Sequence, residues 1–352
     1  MKIKEFQKRL KKEKIDLAVL YNMETNIENV NMRYLAGYSG YGFLLVPAYK
    51  SPRLFVPLLD IEKAWKSGTR FTVIRKNFYE KIKKYSGKPK VIGVEERKFS
   101  VYAQKKFRKI FKNAKFRDIS PIISDLRKIK TDEEIRAIRE ASKITNQIMN
   151  SCIGNLKRFR TEKEVYNYLR IECIRHNAEP SFDFVVASGR NPATPHHEPN
   201  EKKISRGFCV IDFGIRYKGY CTDTTRTVYV GKPSKKEKEL YNLVLSAQEK
   251  AIESISLGKR FSEIDSEARK NLGKYAKYFI HSLGHGIGLE IHEEPNVGAD
   301  TQDVVQNRMV FTIEPGIYMI GRRGIRIEDD ILVLNGKAEN LTKVKKDLVV
   351  VK

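Results

Sequence analysis

Cysteine is scarce in this 352-residue chain: Cys152, Cys173, Cys209 and Cys221 are all it has, and none forms a C-x-x-C pair. A chain of this length without a secretion signal does not depend on a disulfide framework, so the four are expected as buried free thiols. Long apolar runs are missing too. None approaches the roughly 18–20 residues that a membrane span needs. No apolar stretch of about 7–15 residues follows the basic start Met1–Lys14, so a signal peptide is not expected and cytoplasmic location is the default. What remains, 41% hydrophobic and 32% charged residues, is a globular composition long enough for two cores.

Acidic residues are in short supply in one half only. Residues 1–130 carry 32 Lys and Arg against 12 Asp and Glu, and residues 131–352 carry 36 against 31. A balance of +20 fits an anionic partner such as nucleic acid or a membrane. It also fits a lysine-coated surface of thermophilic type. There is no zinc-finger spacing, ribonucleoprotein aromatic motif or basic heptad helix, so the lysine-coat reading is preferred and neither nucleic acid nor membrane is expected as a partner.

The first part alternates patterns. Lys4–Lys14, Phe78–Tyr85 and Ser100–Phe111 have helical periodicity. Asp16–Tyr21, Gly42–Pro47, Arg53–Val56, Phe71–Arg75 and Val91–Val94 read as short buried strands. That alternation predicts an α/β layer. Ile119–Lys130, interrupted by Pro121, reads as a bridge, with the domain boundary near residue 122: one domain over 1–122 and a second over 123–352. Thr131 with Glu134 forms a capping box opening a long helix, and Thr161 with Glu164 repeats the device. Ile153–Phe159 (IGNLKRF) is echoed by Ile255–Phe261 (ISLGKRF), each before a helix and then strands, which suggests two similar halves.

Histidine is rare as well. His176 lies late in a helical pattern and reads as structural. The other five fall in two loops, ATPHHEP with His196 and His197, and HSLGHGIGLEIHEEP with His281, His285 and His292. Glycines leave backbone room beside these rings. Four acids stand in apolar strand-like runs: Asp212 in VIDFG, Asp223 in TDTTRT, Glu314 in TIEPG and Glu328 in GIRIEDD. A hairpin through Arg216–Gly219 would bring Asp212 and Asp223 together, and Arg326 shares a strand face with Glu328 by period two. Buried carboxylates need compensation. Salt bridges from Arg226 and Arg326 explain one or two of them. Four acids beside a glycine-cradled histidine fit divalent metal better, and four negative charges balance two such ions. Two ions about 3.5–4 Å apart can share a water, lower its pKa and polarise the carbonyl it attacks, which points to amide or ester hydrolysis.

In order and context, Asp212, Asp223, His285, Glu314 and Glu328 resemble the ligand set of the methionine aminopeptidase, aminopeptidase P and prolidase family, which has the pita-bread fold. DLAVLY, MRYLAGY and SDLRKIKTDEEI resemble its creatinase-type N-terminal domain. The resemblance implies an α/β (α+β) chain: a creatinase-type α/β domain, then a pita-bread catalytic domain with pseudo-twofold α/β halves. It implies that Asp212 binds one metal and His285 the other, that Asp223 and Glu328 bridge them, and that Glu314 ligates and takes the proton of a bridging water. His196 and His292 match histidines that stabilise the tetrahedral intermediate, and His281 and Arg326 match substrate-side residues. His197 has no counterpart role and is expected as a solvated loop residue.

The N-terminal domain points to the Xaa-Pro branch, an X–Pro bond being a tertiary amide without an N–H to grip. The implied enzyme is a prokaryotic or archaeal-type Xaa-Pro dipeptidase, homodimeric, carrying two divalent ions per subunit: manganese or cobalt first, zinc or iron next. The alternatives are an aminopeptidase P acting on longer peptides, a methionine aminopeptidase, and a metal-free relative that binds protein or nucleic acid. Creatinase shares the fold without the ligand set.

Overall fold

In the computed structural model, which describes residues 2–23, 28–76 and 78–351, the apolar runs of the first 126 residues form one six-stranded sheet. Its strands are β1 (Leu17–Asn22), β2 (Gly42–Pro47), β3 (Arg53–Val56), β4 (Phe71–Val73), β5 (Val91–Val94) and β6 (Lys115–Asp118), in the order β4-β3-β2-β1-β5-β6. β2 pairs antiparallel with β1 and β3, while β1–β5, β3–β4 and β5–β6 are parallel. The helix Ile61–Lys66 joins β3 to β4, and Val101–Ile110 joins β5 to β6. Leu17, Val19, Phe43, Leu45, Phe55, Val94 and Phe107 pack one face of the sheet. β6 escapes the sequence pattern because it is an edge strand without a fully buried residue. Ser120–Lys128, read as a broken bridge, is a helix. Pro121 lies in its first turn, where a missing N–H removes no intrahelical bond.

The chain divides into two compact units, Met1–Leu126 and Arg127–Lys352. The second opens with the helix Asp132–Asn155, whose capping box between Thr131 and Glu134 is fully formed. At Thr161 only half the device forms. Its hydroxyl accepts from the Glu164 N–H, but the Glu164 carboxylate accepts instead from the Arg160 N–H.

The repeated sequence becomes repeated structure. Helices Asp132–Asn155 and Glu162–Arg175 pack with the strands Val185–Ser188, Gly207–Phe213 and Thr224–Val230 around Ile148, Leu169, Val186 and Ile211. Helices Lys235–Glu253 and Phe261–Leu272 pack with Gly284–Gly286, Val310–Ile313 and Asp329–Leu334 around Val244, Ile264, Phe311 and Ile331. A separate hairpin, Gly316–Met319 with Arg323–Arg326, completes the unit's central strands. The four cysteines are buried and free, as expected. Among the described residues, no helix is long and apolar enough to cross a membrane.

Candidate metal and catalytic site

Antiparallel pairing places Asp212 opposite Thr225, with Asp223 immediately before the partner strand. Asp223 leaves the turn with its N–H on the Asp330 carboxylate at 3.1 Å. Glu314 follows the strand Val310–Ile313 and is fixed by its N–H on the Leu283 carbonyl at 2.8 Å. Glu328 sits in the break between Arg323–Arg326 and Asp329–Leu334, its N–H on the Thr225 carbonyl at 3.1 Å. Backbone bonds therefore position three of the four acids.

The glycines beside His285 are required by close approach. A Cβ on Gly284 would lie 2.0 Å from the Thr312 carbonyl oxygen, and one on Gly286 would lie 2.3 Å from that of Glu294. The His285 Nδ1 faces the Gly286 carbonyl at 3.2 Å. A carbonyl can only accept, so Nδ1 carries the proton and Nε2 presents a lone pair. That Nε2 is 3.6 Å from both Asp223 Oδ2 and Glu314 Oε1. Asp223, His285 and Glu328 each offer a ligand atom within 4.8 Å of the other two.

Cationic compensation is thin. Arg226, a sequence candidate for pairing these acids, donates instead to Asp329 at 2.7 Å and to the Glu328, Thr225 and Val344 carbonyls. Among the described residues Arg326 alone reaches the group, donating from Nη2 to Asp212 Oδ2 at 2.6 Å. Asp212 Oδ1 and Asp223 Oδ1 are buried without a hydrogen-bond partner. The electrostatic result is plain. Burial, then the negative charges of Asp212 and Glu314, push the Asp223 carboxyl well above its usual range. Burial and Asp223 do the same to Glu328. Burial pushes Glu314 up to about 7, against the opposing pull of His285 and Arg326. A cluster this rich in oxygen donors, short of cations and holding one free imidazole nitrogen has the donor chemistry of a divalent-metal site.

Two residues of this site carry no signal that spacing alone could read. The Thr225 hydroxyl donates to Glu328 Oε2 at 2.7 Å and accepts from Arg326 Nε at 3.1 Å, so Arg326 and Glu328 meet through it. The Tyr318 hydroxyl accepts from Arg326 Nη1 at 2.8 Å and lies 2.9 Å from His281 Nε2. His281 Nδ1 faces the Ser282 carbonyl at 2.8 Å and so bears the ring proton. Its Nε2 accepts from Tyr318. Burial and Arg326 lower the His281 pKa to about 4, which keeps the ring neutral. The chain Asp212–Arg326–Tyr318–His281 thus links an acid of the cluster to His281.

The remaining histidines separate. His292 packs edge-on against His285, ring centroids 4.3 Å apart. His196 is near enough to His281 and His292 to disfavour their protonation. His197 is not the solvated residue expected. Its Nε2 is 2.8 Å from the fully buried Glu162 carboxylate, which also accepts from the Ser188 N–H and the Asn191 side chain. His176 caps its helix, Nδ1 on the Glu172 carbonyl.

Both units of the chain have known relatives. Residues 2–129 match the creatinase/prolidase N-terminal domain, and residues 136–335 match metallopeptidase family M24. An Xaa-Pro dipeptidase of Pyrococcus furiosus is 36% identical over 96% of this chain and 100% of its own length. The structure of the prolidase from Pyrococcus horikoshii superposes with a TM-score of 0.91 at 35% identity, covering 99% of both chains. An X-Pro aminopeptidase from Thermotoga maritima gives 0.89 at 32% identity, over 97% of this chain and 100% of that one. With more than half its length in the M24 segment and a creatinase-type domain before it, this chain belongs to metallopeptidase family M24.

Proposed function

We propose that the chain hydrolyses the Xaa-Pro bond of dipeptides, with two divalent ions held by Asp212, Asp223, His285, Glu314 and Glu328. The observation that carries the metal assignment is charge. Four carboxylates converge with one guanidinium among them, and two of their buried oxygens lack any partner. Left so, the group destabilises the fold; ions of total charge +4 balance it. Oxygen-rich ligation suits manganese or cobalt, with zinc or iron as further candidates. Such ions supply a water of lowered pKa and polarise a carbonyl.

The residues supply the remaining chemistry. Glu314, whose Oε1 lies 3.6 Å from His285 Nε2, is placed to accept and return a proton. His292, kept neutral by burial and by His285, and His196 offer N–H donors toward the charge that develops on a carbonyl oxygen. Arg326 and Tyr318 hold His281 in one tautomer for substrate binding. The substrate assignment rests on the full-length likeness to Xaa-Pro dipeptidases, which includes the N-terminal domain. The same likeness makes a cytoplasmic homodimer the expected state, to be read by sedimentation.

Turnover of an Xaa-Pro dipeptide by the metal-loaded protein, set beside an Xaa-Pro-containing tripeptide, tests the reading. Faster dipeptide cleavage is expected. Preference for the tripeptide would make the chain an aminopeptidase P, the activity named for the Thermotoga structure. Protein that binds no divalent ion, with hydrolysis unchanged by Glu314→Gln, would defeat the metallopeptidase mechanism.

A further inference from the structure

A second charged feature lies apart from the acid cluster, in the same unit. A cleft of about 610 Å³ is lined by Arg190, Lys202, Lys203, Arg206, Arg322 and Arg323, with Glu237 as its single carboxylate. None of the five proposed metal ligands lines it. We propose that this cleft is a binding site for a small, multiply charged anion of the phosphate class.

The argument begins with what these cations do at present. Glu237 is shared between Arg206 at 3.6 Å and Arg323 at 3.5 Å, both loose contacts. Among the described residues, no carboxylate lies within ion-pair distance of Arg190, Lys202, Lys203 or Arg322. Like charges gathered without partners repel one another, and a bound anion relieves that repulsion. Guanidinium groups suit this role because their planar donor forks match phosphate oxygens.

The floor beneath them is rigid. Gly189 and Gly207 both have positive φ, +65° and +129°. A Cβ on Gly189 would meet Ser205 Oγ at 2.0 Å, and one on Gly207 would come 3.2 Å from the Gly189 Cα, so the two loops are pressed together backbone to backbone. Buried Glu162 pins Ser188 and Asn191 from below, each at 2.7 Å. Arg206 is braced by the Lys232 carbonyl at 3.0 Å and lies over the Tyr229 ring. Arg190 and Arg206 thus stand on fixed backbone, which lowers the ordering cost of binding. The volume suits a small ligand, and the polar, cationic lining selects a compact anion over an apolar one.

Calorimetric titration of the metal-loaded protein with inorganic pyrophosphate at low ionic strength is the test. One-to-one binding is expected, weakening steeply as sodium chloride is added. The exposed pair Lys203→Glu/Arg322→Glu should weaken it by ~10-fold or more, and Lys203→Gln/Arg322→Gln by less, with dipeptide hydrolysis unchanged in both. Lys106→Glu/Lys109→Glu, on the basic helix Val101–Ile110 of the first unit, should leave binding as it was. The proposal is overturned if pyrophosphate gives no heat beyond matched sodium chloride. It is equally overturned if the Lys203/Arg322 variants bind like the wild type, which would place the anion at the metal centre or elsewhere, or if the first-unit variant alone loses binding. Since the readout is anion binding, it stands or falls separately from the peptidase reading.

Discussion

Asp329 and Glu328 are neighbours in sequence, both buried in the same unit, and their environments drive them in opposite directions. Asp329 accepts from Arg226 at 2.7 Å, Gln248 at 2.8 Å, Asn340 at 2.6 Å and Lys346 at 3.1 Å. Burial opposes its ionisation, but Arg226 and Lys346 outweigh burial and hold the carboxyl below its usual range. Glu293 is similar: burial is overcome by Lys130 and Arg127, both of which donate to it. Burial pushes Glu328, Asp223 and Glu314 the other way, reinforced at Glu328 by Asp223 and Glu314 and at Asp223 by Asp212 and Glu314. Burial therefore does not distinguish a structural acid from a functional one. The supply of fixed cations separates Asp329 and Glu293 from Asp223, Glu314 and Glu328, and these last three are suited to ions from solution.

The hardest break in this comparison falls on activity. Glu314→Gln keeps the shape of the side chain and removes its ability to take a proton and to ligate as a carboxylate. Xaa-Pro dipeptide turnover should fall by ~10³-fold, while the melting temperature of the metal-free protein stays the same or rises, because a costly buried charge has gone. On the structural side the outcome reverses. Glu293→Gln leaves Arg127 and Lys130 buried without their carboxylate and should cost about 3–5 kcal/mol in denaturant unfolding. If both substitutions merely destabilise, the division between the two kinds of acid is wrong.

Much of this was legible before the fold was known, and the reason is local. Asp212, Asp223, Glu314 and Glu328 stand out because a charged residue in an apolar strand run is costly wherever the strand goes. His285 stands out through its flanking glycines. The strands Gly42–Pro47 and Arg53–Val56 begin and end where their apolar runs do. What stayed hidden depends on partners distant in sequence. Thr225 is an ordinary strand residue until Glu328 and Arg326, about a hundred positions away, reach its hydroxyl. Tyr318 carries no mark in the sequence until Arg326 and His281 are found at its hydroxyl, and His197 reads as a loop residue until Glu162 is found beneath it. Arg226 was a plausible partner for the buried acids of the cluster; only the fold shows it committed to Asp329.

A change of pH sharpens the same contrast in metal-free protein. Glu314 has a folded-state pKa raised to about 7 from 4.5, so the folded state binds its proton first. The sign follows by linkage: stability increases as pH falls from above 7 toward 4.5, since the penalty of the buried charge is relieved. Glu293 and Asp329 are lowered, so their contribution is present above about 4.5 and 3.8 and is lost as pH falls below those values. Wild-type protein treated with chelator should melt several degrees higher near pH 6 than near pH 8. Metal-free Glu314→Gln should show a smaller rise, because Asp223 and Glu328 remain. Restoring divalent ions should abolish the rise, because bound ions keep the acids ionised. An equal slope in the two proteins would show that Glu314 is not among the acids responsible.

The smallest expected effect tests the residue that joins the two sides. Thr225 donates to Glu328 and accepts from Arg326, so one hydroxyl holds a cluster acid against the guanidinium that pairs with Asp212. Thr225→Val preserves branching and volume and removes only these two bonds. A hydrogen bond to a charged group contributes about 1.5–3 kcal/mol, but water and a relaxed Arg326 recover part of it. Divalent-ion affinity, measured by competition with a chelator, should weaken by ~10-fold, and the global melting temperature of the metal-loaded protein at saturating metal should move little. Thr225→Ser, which keeps the hydroxyl, should restore affinity. If Val and Ser behave alike, Glu328 is held by its backbone N–H on the Thr225 carbonyl alone, and the hydroxyl does not orient it.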